Sequence, residues 1–179
     1  MPSTSAMQIR FDEIPRQGLT FEVKEQSWFP DHDLQRRGPL QARVSLEREG
    51  DRVIMAGELA ATVLLPCDRC LEHYPFHLES SFRVKLEVVD PLNLPAAGAE
   101  HLCRSDEMDT IELDQPLVDV DELLAQQLYL ALPLKRLCRE ECRGLCPLCG
   151  GDLNRQTPCG CDRREKESPF AALRHLKLK

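Results

Sequence analysis

Six of the nine cysteines fall within 24 residues, 138–161, and this feature constrains the fold of the C-terminal part of the chain most strongly. Two cysteines separated by two residues, as in Cys146-Pro-Leu-Cys149, can bind one metal ion, and Gly150 permits the tight turn that follows. Residues 135–179 contain too few large apolar side chains for a core, whereas a structural zinc site contributes an apparent ~10–16 kcal/mol to folding. The pattern predicts a structural Zn²⁺ site of the knuckle type.

Zinc prefers four ligands in a tetrahedron, so the knuckle needs a second pair of ligands. The favoured set is Cys146, Cys149, Cys159 and Cys161, because the nine-residue loop GGDLNRQTP between the pairs is rich in turn residues and can fold back. One intervening residue strains joint chelation by Cys159 and Cys161. Cys142 is therefore the first substitute ligand, and Cys138 is the least favoured one.

A second cysteine pair, Cys67-Asp-Arg-Cys70, lies in the middle of the chain. A redox pair with this spacing should open a helix, whose N-terminus lowers the thiol pKa. Here Pro75 and an alternating β pattern follow instead, which favours a hairpin tip with structural or unliganded cysteines. A second metal site at Cys67 and Cys70, or a redox role for them, remains an alternative. Cys103 is interpreted as a free thiol.

Alternation of apolar and polar residues predicts β-strands before the cysteine-rich part. The patterned segments are 7–24, 40–49, 53–66 and 76–89, with a bulge expected at Gly57. Residues 90–110 have no period and are interpreted as a loop in a very acidic part of the chain. The strands together predict an antiparallel meander, as a sheet or a partly open barrel.

Residues 119–132 predict a helix in which Asp119 is the N-cap and Pro133 ends the element. Leucines occupy much of its circumference, so the helix should bury most of its surface against the apolar face of the meander. The predicted class is α+β: a meander packed by one long apolar helix, with a small zinc-knuckle appendage. Two domains follow, a β-rich core at 1–134 and a cysteine-rich, zinc-binding segment at 135–179.

The formal net charge of −7 conceals two parts of opposite sign, −12 for residues 1–134 and +5 for residues 135–179. The negative total therefore does not exclude contact between the C-terminal part and nucleic acid. The sequence contains no apolar run near the roughly 20 residues that a membrane helix needs, and no secretory signal, so a cytoplasmic location is expected. Phosphate loops, nucleophile elbows and dinucleotide fingerprints are absent, so no catalytic residues are assigned.

Three stretches carry a family resemblance: GELAATVLLPCDRCLE (57–72), LAQQLYLALPLKRLC (124–138) and CREECRGLCPLCGGDLN (138–154), with a closing PCGC. In this order they resemble the YceD family of large ribosomal RNA subunit accumulation proteins, also called domain of unknown function 177. The resemblance implies a bacterial protein, with plastid relatives, that is needed for normal levels or processing of large-subunit rRNA. Some branches of the family lack the C-terminal cysteines, which favours a stabilising role for the metal.

The sequence therefore predicts a non-enzymatic factor for ribosome biogenesis that supports 23S rRNA accumulation or processing. Its expected partners are large-subunit rRNA, ribosomal proteins or both, without a membrane or a small-molecule substrate. The candidate RNA-binding residues are basic residues of the C-terminal part: Lys135, Arg136, Arg139, Arg143, Arg163 and Arg164. The alternative function is a thiol redox or zinc-sensing protein that uses Cys67 and Cys70.

Overall fold

The computed structural model describes residues 7–24, 26–89, 110–155 and 159–161. This part of the chain is mostly β with a single helix. The strands are β1 (Gln8–Arg10), β2 (Leu19–Glu22), β3 (Gln35–Arg36), β4 (Gln41–Glu49), β5 (Arg52–Pro66), β6 (His73–Val88), β7 (Thr110–Leu113) and β8 (Leu117–Asp119), and the helix is α1 (Val120–Leu130). A 3₁₀ turn at Phe11–Glu13 follows β1.

The larger sheet has the strand order β2-β4-β5-β6-β7, and β3 pairs with β5 beside this path. Consecutive antiparallel pairing of β4, β5 and β6 confirms the predicted meander. Strand β7 differs, because it pairs with β6 in parallel. Strands β1 and β8 form a separate two-stranded sheet. The sheets are open, so the described strands form no barrel.

Strand β5 runs through Gly57 without interruption, and the predicted bulge there is wrong. Gly57 pairs with Val44 of β4 on one side and with Phe82 of β6 on the other. A Cβ atom at this position would lie 2.8 Å from Cζ of Phe82 and 2.6 Å from the carbonyl oxygen of Arg43. The glycine is therefore explained by close approach of its neighbours rather than by a break in the strand.

Helix α1 is shorter than the sequence predicts and spans 11 residues. Asp119 is its N-cap, as expected, and its Oδ1 accepts a hydrogen bond of 2.9 Å from the N–H of Glu122. Leu124 and Leu128 are fully buried, whereas Leu130 is 77% exposed. The prediction of one long apolar helix that buries most of its circumference is therefore not confirmed. None of the described helices is long and apolar enough to cross a membrane.

One apolar core joins the two sheets, α1 and the segment around Trp28. Fully buried side chains come from all of these parts: Trp28, Leu46, Met55, Leu65, Leu86, Val118, Leu124 and Leu128. A second, smaller cluster of buried residues lies beyond the end of β5 and consists of cysteines. This smaller cluster is where β5 and β6 meet the C-terminal part of the chain.

Candidate metal centre

The turn between β5 and β6 carries the first cysteine pair at a hairpin tip, as the sequence predicts. The last pair of strand residues is Pro66 with His73. Within the turn, the N–H of Leu71 donates to the carbonyl of Cys67 at 2.9 Å, and the N–H of Cys67 donates to the carbonyl of Glu72 at 3.0 Å. The turn thus places both thiols on one side of the hairpin end.

Four cysteine sulfurs meet at this tip, and we call Cys67, Cys70, Cys138 and Cys142 the hairpin cluster. Their sulfurs all lie within 4.8 Å of one another. Cys67 is fully buried, Cys70 and Cys142 are nearly so, and Cys138 is partly buried. The structure therefore brings Cys138 and Cys142 to the first pair, whereas the sequence considered them only as substitutes in the C-terminal site.

The electrostatics of the hairpin cluster distinguish its thiols. Burial raises the pKa of Cys67, but the backbone N–H groups of Cys138, Cys70 and Arg69 stabilise its thiolate and bring the pKa to about 6. Burial, followed by hydrogen bonds with the sulfurs of Cys142 and Cys70, raises the pKa of Cys138 to about 12. The Cys67 thiol therefore ionises more readily than the Cys138 thiol of the same cluster.

Main-chain and side-chain hydrogen bonds attach the C-terminal part to the hairpin tip. The N–H of Asp68 donates to the carbonyl of Arg136 at 2.7 Å, and the Asp68 carboxylate accepts from the N–H of Arg136 at 2.7 Å. The Arg69 guanidinium donates to the carbonyls of Cys142 and Glu140, at 2.7 and 3.2 Å. The two residues between Cys67 and Cys70 therefore hold the segment that carries Cys138 and Cys142.

The second group is the set favoured by the sequence, and we call Cys146, Cys149, Cys159 and Cys161 the C-terminal cluster. These four sulfurs also lie within 4.8 Å of one another. Gly150 has a φ of 71° and donates to the carbonyl of Cys146 at 2.9 Å, which closes the knuckle turn. Each cluster can hold a metal ion.

Backbone N–H groups also stabilise a thiolate in the C-terminal cluster, as they do at Cys67 in the hairpin cluster. The N–H groups of Cys149 and Leu148 lower the pKa of Cys146 to about 6, although burial opposes them. Hydrogen bonds with the sulfurs of Cys149 and Cys159, and then burial, raise the pKa of Cys161 to about 12. Each cluster therefore contains one cysteine whose pKa is lowered by backbone N–H groups and one whose pKa is raised.

Gly144 lies in sequence between Cys142 of the hairpin cluster and Cys146 of the C-terminal cluster, and its close neighbours predict the effect of replacing it. Its φ is 73°, and a Cβ atom there would lie 2.8 Å from the carbonyl oxygen of Arg69, which also accepts from the N–H of Leu145. Gly144→Ala should therefore lower the free energy of unfolding by about 1–3 kcal/mol more than the left-handed backbone alone requires. Urea unfolding of the purified variant measures this loss.

The matched control is Gly150→Ala, because Gly150 has nearly the same φ of 71° but nothing within 4 Å of its added Cβ. Both variants share the cost of placing alanine in the left-handed region, so their difference isolates the collision with Arg69. Equal unfolding midpoints for the two variants would show that Gly144 is not pressed against the hairpin tip.

Four of the predicted RNA-binding residues are described by the structure, and in sequence they lie close to Cys138 and Cys142 of the hairpin cluster. Lys135, Arg139 and Arg143 are exposed, and Arg136 is partly exposed. Among the described residues, no ion pair joins these four side chains to a carboxylate. Arg163, Arg164, Cys103 and nearly all of the predicted acidic loop at 90–110 lie outside the described residues.

The fold and the site define a mostly β protein with two groups of four cysteines that can each hold a metal ion. The family model described as "Large ribosomal RNA subunit accumulation protein YceD" matches residues 55–177, and the chain belongs to this family. The resemblance found in the sequence is thereby confirmed. No solved structure matches the chain.

Curated relatives come from plants and mycobacteria. The chain is 26% identical over 150 residues to the Zea mays "Large ribosomal RNA subunit accumulation protein YCED homolog 1, chloroplastic", covering 73% of this chain and 51% of that protein. It is 24% identical over 159 residues to the Arabidopsis thaliana protein of the same name, covering 78% and 49%.

An uncharacterized protein of Mycobacterium tuberculosis is 31% identical over 119 residues, covering 64% of this chain and 50% of that protein. The chain thus spans about half the length of the curated relatives that it matches.

Proposed function

We propose that the protein is a non-enzymatic factor for ribosome biogenesis that supports the accumulation or processing of 23S rRNA. Membership of a family named for large ribosomal RNA subunit accumulation carries this proposal. Its proposed partners are rRNA, ribosomal proteins or both. The cytoplasmic location stays a prediction, and the plant relatives are named as chloroplastic.

Charge supports contact between the C-terminal part and RNA. Lys135, Arg136, Arg139 and Arg143 lie in a segment whose backbone is hydrogen-bonded to the hairpin tip, so their backbone positions are fixed relative to the tip. Neutralising phosphates releases counterions, so binding through these residues should weaken steeply as salt increases. The rest of the chain carries a net charge of −12 and suits basic ribosomal proteins instead.

The proposed cofactor is structural Zn²⁺ in the C-terminal cluster. Four thiolates fill the tetrahedron that zinc prefers and leave no open position for a substrate or water. The ion would stabilise a segment with little apolar material of its own and thereby fix the basic residues that precede it.

Burial argues against the redox alternative at Cys67 and Cys70. Cys67 has no exposed surface and Cys70 is 5% exposed, so an incoming thiol or disulfide has no direct access to either sulfur. A β-strand, rather than a helix, follows the pair. Resistance of Cys67 to thiol labelling in the native protein is the expected result, and rapid labelling would favour the redox function.

A deletion strain of the source organism tests the ribosomal role. We expect less mature 23S rRNA and fewer large subunits in the deletion strain, and restoration of both by the wild-type gene. Arg139→Glu with Arg143→Glu should restore them poorly, because the reversed charges repel phosphate. Arg43→Glu with Arg52→Glu, a charge reversal at exposed sites on the sheet, is the matched control and should restore them fully.

Two outcomes would change this assignment. Normal large-subunit levels in the deletion strain would remove the ribosomal function. Equal rescue by both charge-reversed variants would indicate that the protein contacts RNA through another surface than the C-terminal cations. Complementation by Cys146→Ser separates the metal from the function, since full rescue would confine the zinc to stability.

A further inference from the structure

The hairpin cluster contains the same turn as the zinc knuckle of the C-terminal cluster. In each case a C-x2-C pair is followed by a residue in the left-handed region, Leu71 with a φ of 63° and Gly150 with a φ of 71°. The N–H of that residue donates to the carbonyl of the first cysteine at 2.9 Å in both turns. The two turns therefore share their backbone conformation and hydrogen bond, although only one has the glycine that marks a knuckle in sequence.

Leu71 indicates that this turn is imposed by its surroundings. A left-handed conformation costs a non-glycine residue roughly 1–2 kcal/mol, and such strain persists where the surrounding structure determines it. The Leu71 side chain is 63% exposed, so burial of its apolar surface offsets little of that cost. An interaction at the neighbouring cysteines is the simplest source of the constraint.

The spacing of the sulfurs fits a shared ion. The Sγ atoms of Cys67 and Cys142 are 3.8 Å apart, and those of Cys70 and Cys138 are also 3.8 Å apart. Four thiolates at about 2.3 Å from one zinc ion form a tetrahedron with edges of roughly 3.8 Å. The two S–S distances therefore match two opposite edges of a zinc tetrathiolate. Both are much longer than the ~2.05 Å S–S bond of a disulfide.

Apolar packing offers little else to hold the tip and the C-terminal part together. The buried members of this small cluster are all cysteines, with partly buried Tyr74, Leu137 and Cys138 around them. Sulfur ligands without histidine or carboxylate suit zinc among the common divalent ions.

We propose that Cys67, Cys70, Cys138 and Cys142 bind a second Zn²⁺ ion, separate from the one in the C-terminal cluster, and that this ion clasps the C-terminal part to the hairpin tip. Binding replaces the thiol protons with the metal, and the displaced protons pass to solvent. The ligands come from positions 75 and 68 residues apart, so the ion closes a long loop of chain. Each chain then binds two zinc ions.

Cadmium substitution of the full-length wild-type protein tests the site without a mutation. After exchange of zinc for ¹¹³Cd, the spectrum should contain two metal resonances, each correlated with the β-protons of four cysteines. One resonance should correlate with Cys67, Cys70, Cys138 and Cys142. A single resonance from the C-terminal cluster, or one set of ligands drawn from both clusters, would overturn the proposal.

Metal content of paired variants gives a second test. Wild-type protein and Cys103→Ser should each bind two equivalents of zinc. Cys67→Ser with Cys70→Ser and, separately, Cys138→Ser with Cys142→Ser should each retain one, held by the C-terminal cluster. If either pair of changes leaves two equivalents bound, or if the wild type binds only one, the second site does not exist. This result is independent of the ribosomal role.

Discussion

Leu128→Ala should lower the free energy of unfolding by about 2–5 kcal/mol, the loss expected when a fully buried leucine is truncated. Leu128 has no exposed surface and belongs to the main core with Trp28 and Leu124. The truncation removes apolar burial and leaves a cavity that the two sheets and α1 can fill only in part. Denaturant unfolding monitored by far-UV circular dichroism would measure the change.

Leu130→Ala is the matched control, because the same substitution two residues later in α1 removes a side chain that is 77% exposed. Its effect should stay within about 0.5 kcal/mol. Both variants make the same substitution near the end of α1, where leucine and alanine differ little in helix propensity, so the difference between them reports mainly burial. A similar loss of stability in both variants would show that α1 does not pack with Leu128 toward the core.

The contrast between Leu128 and Leu130 also shows what the sequence could predict about the fold. Periodicity predicted β4, the β5–β6 hairpin and α1, because one side of each element is buried and its apolar residues recur at the strand or helix period. The same pattern could not assign Leu130 to solvent. Its exposure depends on where the sheets end, which is a property of tertiary packing.

Pairing between strands that are distant in sequence could not be predicted either, because it too depends on tertiary packing. The parallel pairing of β7 with β6 and the antiparallel pairing of β1 with β8 depend on contacts between separated segments, whereas the sequence pattern describes each strand alone. Gly57 was interpreted as a bulge because glycine in a strand has two common causes, and only the structure shows Phe82 beside it.

The two cysteine clusters differ in how much of them the sequence could show. The C-terminal cluster begins with Cys146-Pro-Leu-Cys149-Gly150, a local pattern that includes the glycine required by the turn. The halves of the hairpin cluster lie far apart, and Leu71 occupies the position where a knuckle usually has glycine. In the sequence, the second half of the hairpin cluster was indicated only by the C-x3-C spacing of Cys138 and Cys142.

Gly57→Ala tests the close packing of neighbouring strands in the larger sheet, as Leu128→Ala tests packing in the core. The added Cβ would approach the carbonyl oxygen of Arg43 to 2.6 Å and the Phe82 ring to 2.8 Å. Side chains can move aside, but the Arg43 carbonyl belongs to the backbone of β4 and moves only with the strand. We expect a loss of about 1–3 kcal/mol in the free energy of unfolding, measured by urea denaturation.

A double variant divides this loss between its causes. Adding Phe82→Leu to Gly57→Ala should remove the contact with the ring but retain the contact with the carbonyl. The second change should therefore cost less in the alanine background than in wild type, by about 0.5 kcal/mol or more.

Additive effects of Gly57→Ala and Phe82→Leu would instead place the ring away from Gly57. That outcome would question the pairing of β5 with β6 in the register that runs from Arg52 with Glu87 to Pro66 with His73. The same register determines where the hairpin ends, and hence where Cys67 and Cys70 meet the C-terminal part. A coupling between two residues in the middle of the sheet therefore tests the geometry that places the hairpin cluster at its tip.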